Sequence, residues 1–423
     1  MASEARSEQT DDSRAASFRD VFRLAEFRFL WLAHAQSVAG DQLARVALSV
    51  LVFNRTGSAG WTALTYAMTI LPDLFGGALL AGLADRYSRR GVLVVADLVR
   101  AALVALMVLP GQPIAAMVAL VFLVQLLFSP WSAARNAILP TVLDGDRFVV
   151  GVAVFRTTSQ LGMVVGFGAG AALVAVLGTN TTLLIDSGTF LASALLILFG
   201  VRAHRPPGAS GGRTPGAWLV SIRAGFRLVS SDRRLRTLVA LACVSGFYVI
   251  PEGLAVPYAA QIHGGTAAVG WLLAANPVGA VLGMLTLRAL RPDRRVRMMG
   301  PLSVVCCVVL VPTGWAPGLP VAFALWALSG FCSAYDMIAN ATFVQLVPDH
   351  SRGQALGLAG SAMQGCQGVA VIAAGLLAQV RTPATVVALS AGVGVLAALA
   401  AAVGWARAAS PALRAESGEA TAV

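Results

Sequence analysis

Among the ionisable side chains inside long apolar runs are Asp41, Arg45, Asp73, Asp97, Arg100, Glu252 and Asp336. On insertion scales a charge at the centre of such a run costs about 2.5–3.5 kcal/mol, so each needs a partner, a water-filled cavity or a task. Asp41 and Arg45 are spaced i, i+4, which puts them on one helix face where they can pair. Glu252 lies in Pro251-Glu252-Gly253, where Pro and Gly interrupt a helix and free backbone groups to line a cavity. It has no basic neighbour in sequence, and Asp336, in Ala334-Tyr335-Asp336-Met337, is equally isolated. A carboxyl group so placed can load a proton on one side of a membrane and release it on the other. Asp41, Glu252 and Asp336 are therefore the candidate proton-coupling residues. The competing reading is structural: an Asp41–Arg45 ion pair, and helix–helix hydrogen bonds for the other two.

Arg45, Asp73, Trp131, Phe247 and Tyr335 are candidates for the wall of a substrate cavity. Asp97 and Arg100 fall near a span end, within range of a charged loop, and His34 reads as a core or interfacial histidine. Trp31, Trp61, Trp315 and Trp405 lie near span ends, where interfacial anchoring is the default. The five cysteines all fall in apolar runs without metal-ligand spacing to any histidine, so no metal site, cofactor or disulfide is expected. There is no phosphate-cradling glycine loop, nucleophile elbow or loop long enough for a catalytic domain, which argues against an enzyme.

The elements that carry these groups follow from composition. The 423 residues are 57% hydrophobic and 12% charged, against norms of about 45–50% and about 25%. Mean hydropathy is +0.76. Soluble cores cannot hide so much apolar surface, and an all-α polytopic membrane protein is expected. Twelve spans can be marked, at roughly 29–53, 61–83, 91–110, 114–138, 150–176, 181–202, 237–260, 268–288, 298–314, 319–346, 354–380 and 384–406. They divide into six-helix bundles at 18–202 and 237–407, joined by a cytoplasmic linker at 203–236. Tails at 1–17 and 408–423 are expected in the cytoplasm, the first disordered and with no signal-peptide core.

The net charge of +11 comes from 31 basic residues, all arginine. They gather between spans at alternate loops, including Arg86, Arg89 and Arg90, Arg202 to Arg236, and Arg288 to Arg297, while the intervening loops hold only Arg55 and Arg381. That is the positive-inside pattern of an inner (plasma) membrane protein with both termini cytoplasmic, and not a nucleic-acid-binding stripe. The halves also echo each other. Asn136-Ala137, Pro140, Asp144 and Arg147 after the fourth span match Asn340-Ala341, Pro348, Asp349 and Arg352 after the tenth. A six-plus-six repeat is what alternating access by two rocking bundles requires.

After the second span the chain reads Ala81-Gly82-Leu83-Ala84-Asp85-Arg86-Tyr87-Ser88-Arg89-Arg90. This resembles the cytoplasmic loop signature of the major facilitator superfamily, with Ala81 and Ser88 where the family has glycines. The resemblance implies a gating loop in which Asp85, Arg86, Arg89 and Arg90 latch helix ends in one conformation and release them in another. Gly40-Asp41, Arg135-Asn136-Ala137, Leu139-Pro140, Asp186 with Phe190, Val347-Pro348 and Arg352-Gly353 resemble the branch that holds the enterobactin exporter, secretion effectors and drug:proton antiporters. Gly162, Gly166 and Gly170 resemble that branch's antiporter motif, with Phe167 where proline would stand; ordinary helix packing explains the same row. The resemblance implies a monomeric secondary transporter that exports small amphipathic molecules, such as a drug, siderophore or secondary metabolite, against inward proton flow. A uniporter or proton symporter for uptake, with structural carboxylates, is the alternative.

Overall fold

The computed structural model describes residues 17–80, 87–203 and 217–419. Asp85, Arg86 and the Asp73 side chain lie outside the described residues, as does nearly all of the expected N-terminal tail. Every regular element among the described residues is helical. The N-terminal half is built from α1 (Ala25–Thr56), α2 (Ala59–Ala67), α3 (Pro72–Leu79), α4 (Arg89–Met107), α5 (Ile114–Leu126), α6 (Phe128–Val142) and α7 (Asp146–Gly200). The C-terminal half opens with short helical pieces spanning 233–261 and continues through α8 (Gly265–Arg288), α9 (Pro292–Val308), α10 (Leu319–Ser333), α11 (Tyr335–Leu346), α12 (Arg352–Leu377) and α13 (Pro383–Glu419). Part of the expected linker is itself a helix, Ala217–Ser231.

Among the described residues, eight stretches are long and apolar enough to cross a membrane. One of them, the 55-residue α7, breaks at Gly178, whose φ of 80° only glycine adopts freely, so it makes two passages with a turn between them. α1 is not among the eight, because its inward face is polar: His34, Ser37, Asp41 and Gln42 are all buried. It ends at Gly57, which takes a left-handed φ of 61° and returns its N–H to the Phe53 carbonyl at 2.7 Å. In 233–261, Pro251 and Pro257 remove backbone donors, so the helix proceeds as Ser245–Tyr248, Ile250–Gly253 and Ala255–Gln261.

The outer surface is apolar. Val165, Val176, Leu195, Phe199, Leu285, Leu396 and many others are more than half exposed, which water does not tolerate on this scale and lipid does. Inside, one continuous core runs from Ala47 and Val121 through Tyr66 and Phe167 to Leu254, Trp326 and Val387, and so joins the halves. A second core, around Phe27, Leu93, Trp131 and Ile138, belongs to the N-terminal half alone.

Glycines show where the halves meet. Gly375 of α12 lies against Ala63 and Gly60 of α2, Gly368 against Leu71, and Gly270 of α8 against Ala171 of α7, contacts that a Cβ would block. At the opposite end of α12, Gly353, Gly357 and Gly360 have nothing within 4 Å of where a Cβ would stand. Among the described residues the two bundles therefore touch at the end bearing Gly57 and Gly178, whereas Gly353, Gly357 and Gly360 make no such contact at the end bearing Arg352, the parted end.

Candidate functional site

Tyr66 and Glu252 form a hydrogen bond across the seam between the halves. The Tyr66 hydroxyl, on α2, donates to Glu252 Oε2 at 2.5 Å. Pro251 and Gly253 hold Glu252 in a single helical turn; Tyr66 is 2% exposed and Glu252 is partly exposed, so the contact is part-buried. Arg45, on α1, reaches the same region, where one of its Nη groups donates to the carbonyl of Thr69, three residues after Tyr66, at 3.3 Å. A tyrosine, a carboxyl group and a guanidinium thus meet where the bundles touch.

The i, i+4 pair expected between Asp41 and Arg45 is not formed. Asp41 instead accepts from Arg100 of α4 at 2.7 Å, because α1 turns that face toward α4 and α7 and leaves Arg45 to the seam. Arg100 is fully buried, stands 3.8 Å from Asp97, and lies 4.1 Å over the Phe190 ring. Asp97 takes hydrogen bonds from Trp131 Nε1 at 3.1 Å and Ser193 Oγ at 2.6 Å. Asp97 is therefore held inside the N-terminal bundle and not at a loop. Asp41, Arg45, Thr69, Gln125 and Asp186 share a small cleft whose remaining walls are aliphatic.

In the C-terminal half Asp336 accepts from the Tyr248 hydroxyl at 2.6 Å. Both belong to that half, so this bond does not cross the seam. Three expected cavity residues are placed elsewhere. Trp131 is 0% exposed and spends its N–H on Asp97. Tyr335 is also 0% exposed and donates to the Leu241 carbonyl at 2.9 Å. Phe247 joins a small apolar cluster with Val244, Cys307 and Ala398. In each case an aromatic in the middle of a span is filling space between helices.

At the parted end, Arg89 donates to the Ala137 carbonyl at 2.7 Å and Arg90 to the Leu198 carbonyl. Both acceptors are in the N-terminal half, so these two arginines hold the helix ends of their own bundle. His34, expected to be bland, sits between Ser159 Oγ at 3.0 Å and Arg135 Nη1 at 3.0 Å and is stacked on Trp131. Arg135 also lies over the Trp131 and Phe155 rings. Gly162, Gly166 and Gly170 all face α1, against Val38, Gln42 and Leu43. Among the described residues no group of three His, Cys, Asp or Glu side chains is placed to hold a metal ion.

The sequence profile of the transmembrane secretion effector family, within the major facilitator superfamily, matches residues 16–420. The chain belongs to that family. Its curated relatives include the multidrug efflux pump Tap of Mycobacterium tuberculosis, 30% identical over 352 residues, which are 77% of this chain and 80% of that one. The enterobactin exporter EntS of Escherichia coli is 27% identical over 350 residues, 78% of this chain and 80% of its own. In fold, this family member is similar to the nucleoside transporter NupG, with a TM-score of 0.71 at 14% identity over 91% of this chain and 99% of that one. It is also similar to a bacterial Spinster homologue solved inward-facing and occupied, with a TM-score of 0.65 at 13% identity over 91% and 94% of the two chains. The secretion effector chain is thus a multi-pass membrane protein of major facilitator fold.

Proposed function

We propose that the protein is a proton-driven exporter of small amphipathic molecules that works by alternating access. The observation that carries this reading is the Tyr66–Glu252 hydrogen bond, which makes one protonatable group a bond between the two halves. Glu252 ionised accepts from Tyr66 and is drawn to Arg45; Glu252 protonated loses that attraction, and the contact between α2 and 233–261 weakens. Proton uptake from outside thereby favours the state that releases substrate outward. Proton loss to the cytoplasm restores the inward-open state.

The reading includes twelve passages in two bundles of six, at 18–202 and 237–407, in the plasma membrane of a monomer with both termini cytoplasmic. On that orientation the parted end bearing Gly353 and Arg352 faces the cytoplasm, and the structure is inward-open. Multidrug efflux by Tap and enterobactin export by EntS support export over uptake. Asp41 and Asp336 remain proton-coupling candidates, and Arg45 remains a substrate contact in the cleft. Asp85 and Arg86 remain candidates for the gating loop.

The test is transport by the purified protein in liposomes. An imposed gradient, acid on the side that corresponds to the cell exterior, is predicted to drive a lipophilic cation such as ethidium, or a catecholate anion, toward the acid side. Movement down the substrate's own gradient that ignores the pH difference would favour the uniporter.

A further inference from the structure

We propose that Asp186 binds a proton inside the N-terminal half, at a site separate from Glu252, with Arg100 answering its charge. Asp186 is on α7 and is 1% exposed. Its Oδ2 has no hydrogen-bond partner, and Oδ1 has only a 3.4 Å approach from Thr189, whose hydroxyl lies closer to the Asp186 carbonyl, at 2.7 Å. An ionised carboxylate left so deep without a donor is strongly disfavoured, whereas a protonated one is neutral and is tolerated.

The surrounding charges sharpen the argument. The charged groups around Asp186 are Asp41 and Arg45 from α1, which share its cleft, and Arg100 from α4, which is held by Asp41 and flanked on its far side by Asp97; α5 adds the uncharged Gln125. Asp41 accepts from Arg100, and Asp97 takes bonds from Trp131 and Ser193 on Oδ2 while its Oδ1, without a hydrogen bond, stands 3.8 Å from Arg100 Nη1; Asp186 has neither a donor within 3.0 Å nor an ion pair. That leaves three buried carboxyl groups around one fully buried guanidinium, and the proton on Asp186 reduces the imbalance. Arg100 Nε and Nη1 have no hydrogen-bond acceptor, so the guanidinium keeps donors free for Asp186 once its proton leaves.

The site lies where α1 and α7 touch. Gly40 sets its backbone against Asp186 and Thr189, with no room for a Cβ. A charge change on Asp186 therefore acts directly on the packing of these two helices. Its use in transport rests on the exporter reading above, but the binding itself does not.

The test is infrared difference spectroscopy of the full-length protein in lipid nanodiscs, stepped between acid and alkaline pH with no substrate present. A component of the protonated-carboxyl stretch is expected in the wild type that is absent in Asp186→Asn, displaced in Asp186→Glu and retained in Glu252→Gln. If Asp186→Asn does not fold, the displacement in Asp186→Glu decides. A band that keeps its full amplitude in Asp186→Asn, or its position in Asp186→Glu, overturns the proposal. Loss of the band on adding sodium chloride at fixed pH also overturns it, by assigning the site to sodium. If Glu252→Gln leaves gradient-driven transport intact while the Asp186 band persists, the role given to Glu252 fails and this site stands.

Discussion

The hydroxyl of Tyr66 and the carboxyl group of Glu252, 186 residues apart in sequence, meet at 2.5 Å on the line where the two bundles touch. A bond to an ionised partner contributes about 1.5–3 kcal/mol, which is roughly a tenfold change or more in an equilibrium between two conformations. Tyr66→Phe is therefore expected to loosen the closed end by that factor. Hydrogen exchange along Ala59–Ala67 and the facing part of Arg352–Leu377 should accelerate, and unchanged exchange would mean that the bond does not hold the seam.

The buried Asp41–Arg100 pair gives a second test. Removing one partner strands the other charge, at a cost of about 3–5 kcal/mol, whereas replacing both with apolar residues is much less harmful. Thermal unfolding in detergent should show Asp41→Leu and Arg100→Leu each strongly destabilised and the double variant partly restored. Additive losses would contradict the pairing.

The glycine row on α7 makes a third. A methyl group at Gly166 would meet Gln42 and the Ala39 carbonyl, so Gly166→Ala is expected to destabilise by about 1–3 kcal/mol. Gly168, two residues on and on the opposite face of the helix, faces open space, and Gly168→Ala should change stability by no more than about 0.5 kcal/mol. Equal effects at the two positions would remove the packing role.

Arg89 distinguishes a brace within one bundle from a latch between bundles. Its bond to the Ala137 carbonyl predicts that Arg89→Ala lowers thermal stability, by about 1.5–3 kcal/mol, without shifting the balance between inward-open and outward-open states. A shifted balance with unchanged stability would restore the latch. Distance measurements between labels on the two halves, beside a melting curve, separate these outcomes.

Much of the fold is legible in the sequence, because spans of apolar residues and arginine-rich loops report the membrane directly. The partners of the buried charges are less so. Periodicity showed that Asp41 and Arg45 share a helix face, but the choice of Arg100 over Arg45 is made by how α1 packs on α4, 59 residues away. Trp131 and Tyr335 look like cavity residues for the same reason: hydropathy does not say which side of a helix faces another helix. Asp186 was visible beside Phe190 only as a family resemblance. The signal that singles it out, a carboxyl oxygen with no donor against Gly40, exists only once α1 and α7 are brought together. The surroundings of His34 are equally hidden in the sequence, since Arg135 and Ser159 reach it from other helices.

The central claim is that Glu252 couples proton movement to transport, and the most direct measurement compares two assays on one variant. Glu252→Gln in proteoliposomes is expected to exchange labelled ethidium for unlabelled across the membrane at a rate near that of the wild type, since exchange needs no net proton movement. The same vesicles are expected to lose accumulation driven by a pH gradient. If the variant still accumulates ethidium against its gradient as the wild type does, Glu252 is a structural hydrogen-bond acceptor and the account is wrong.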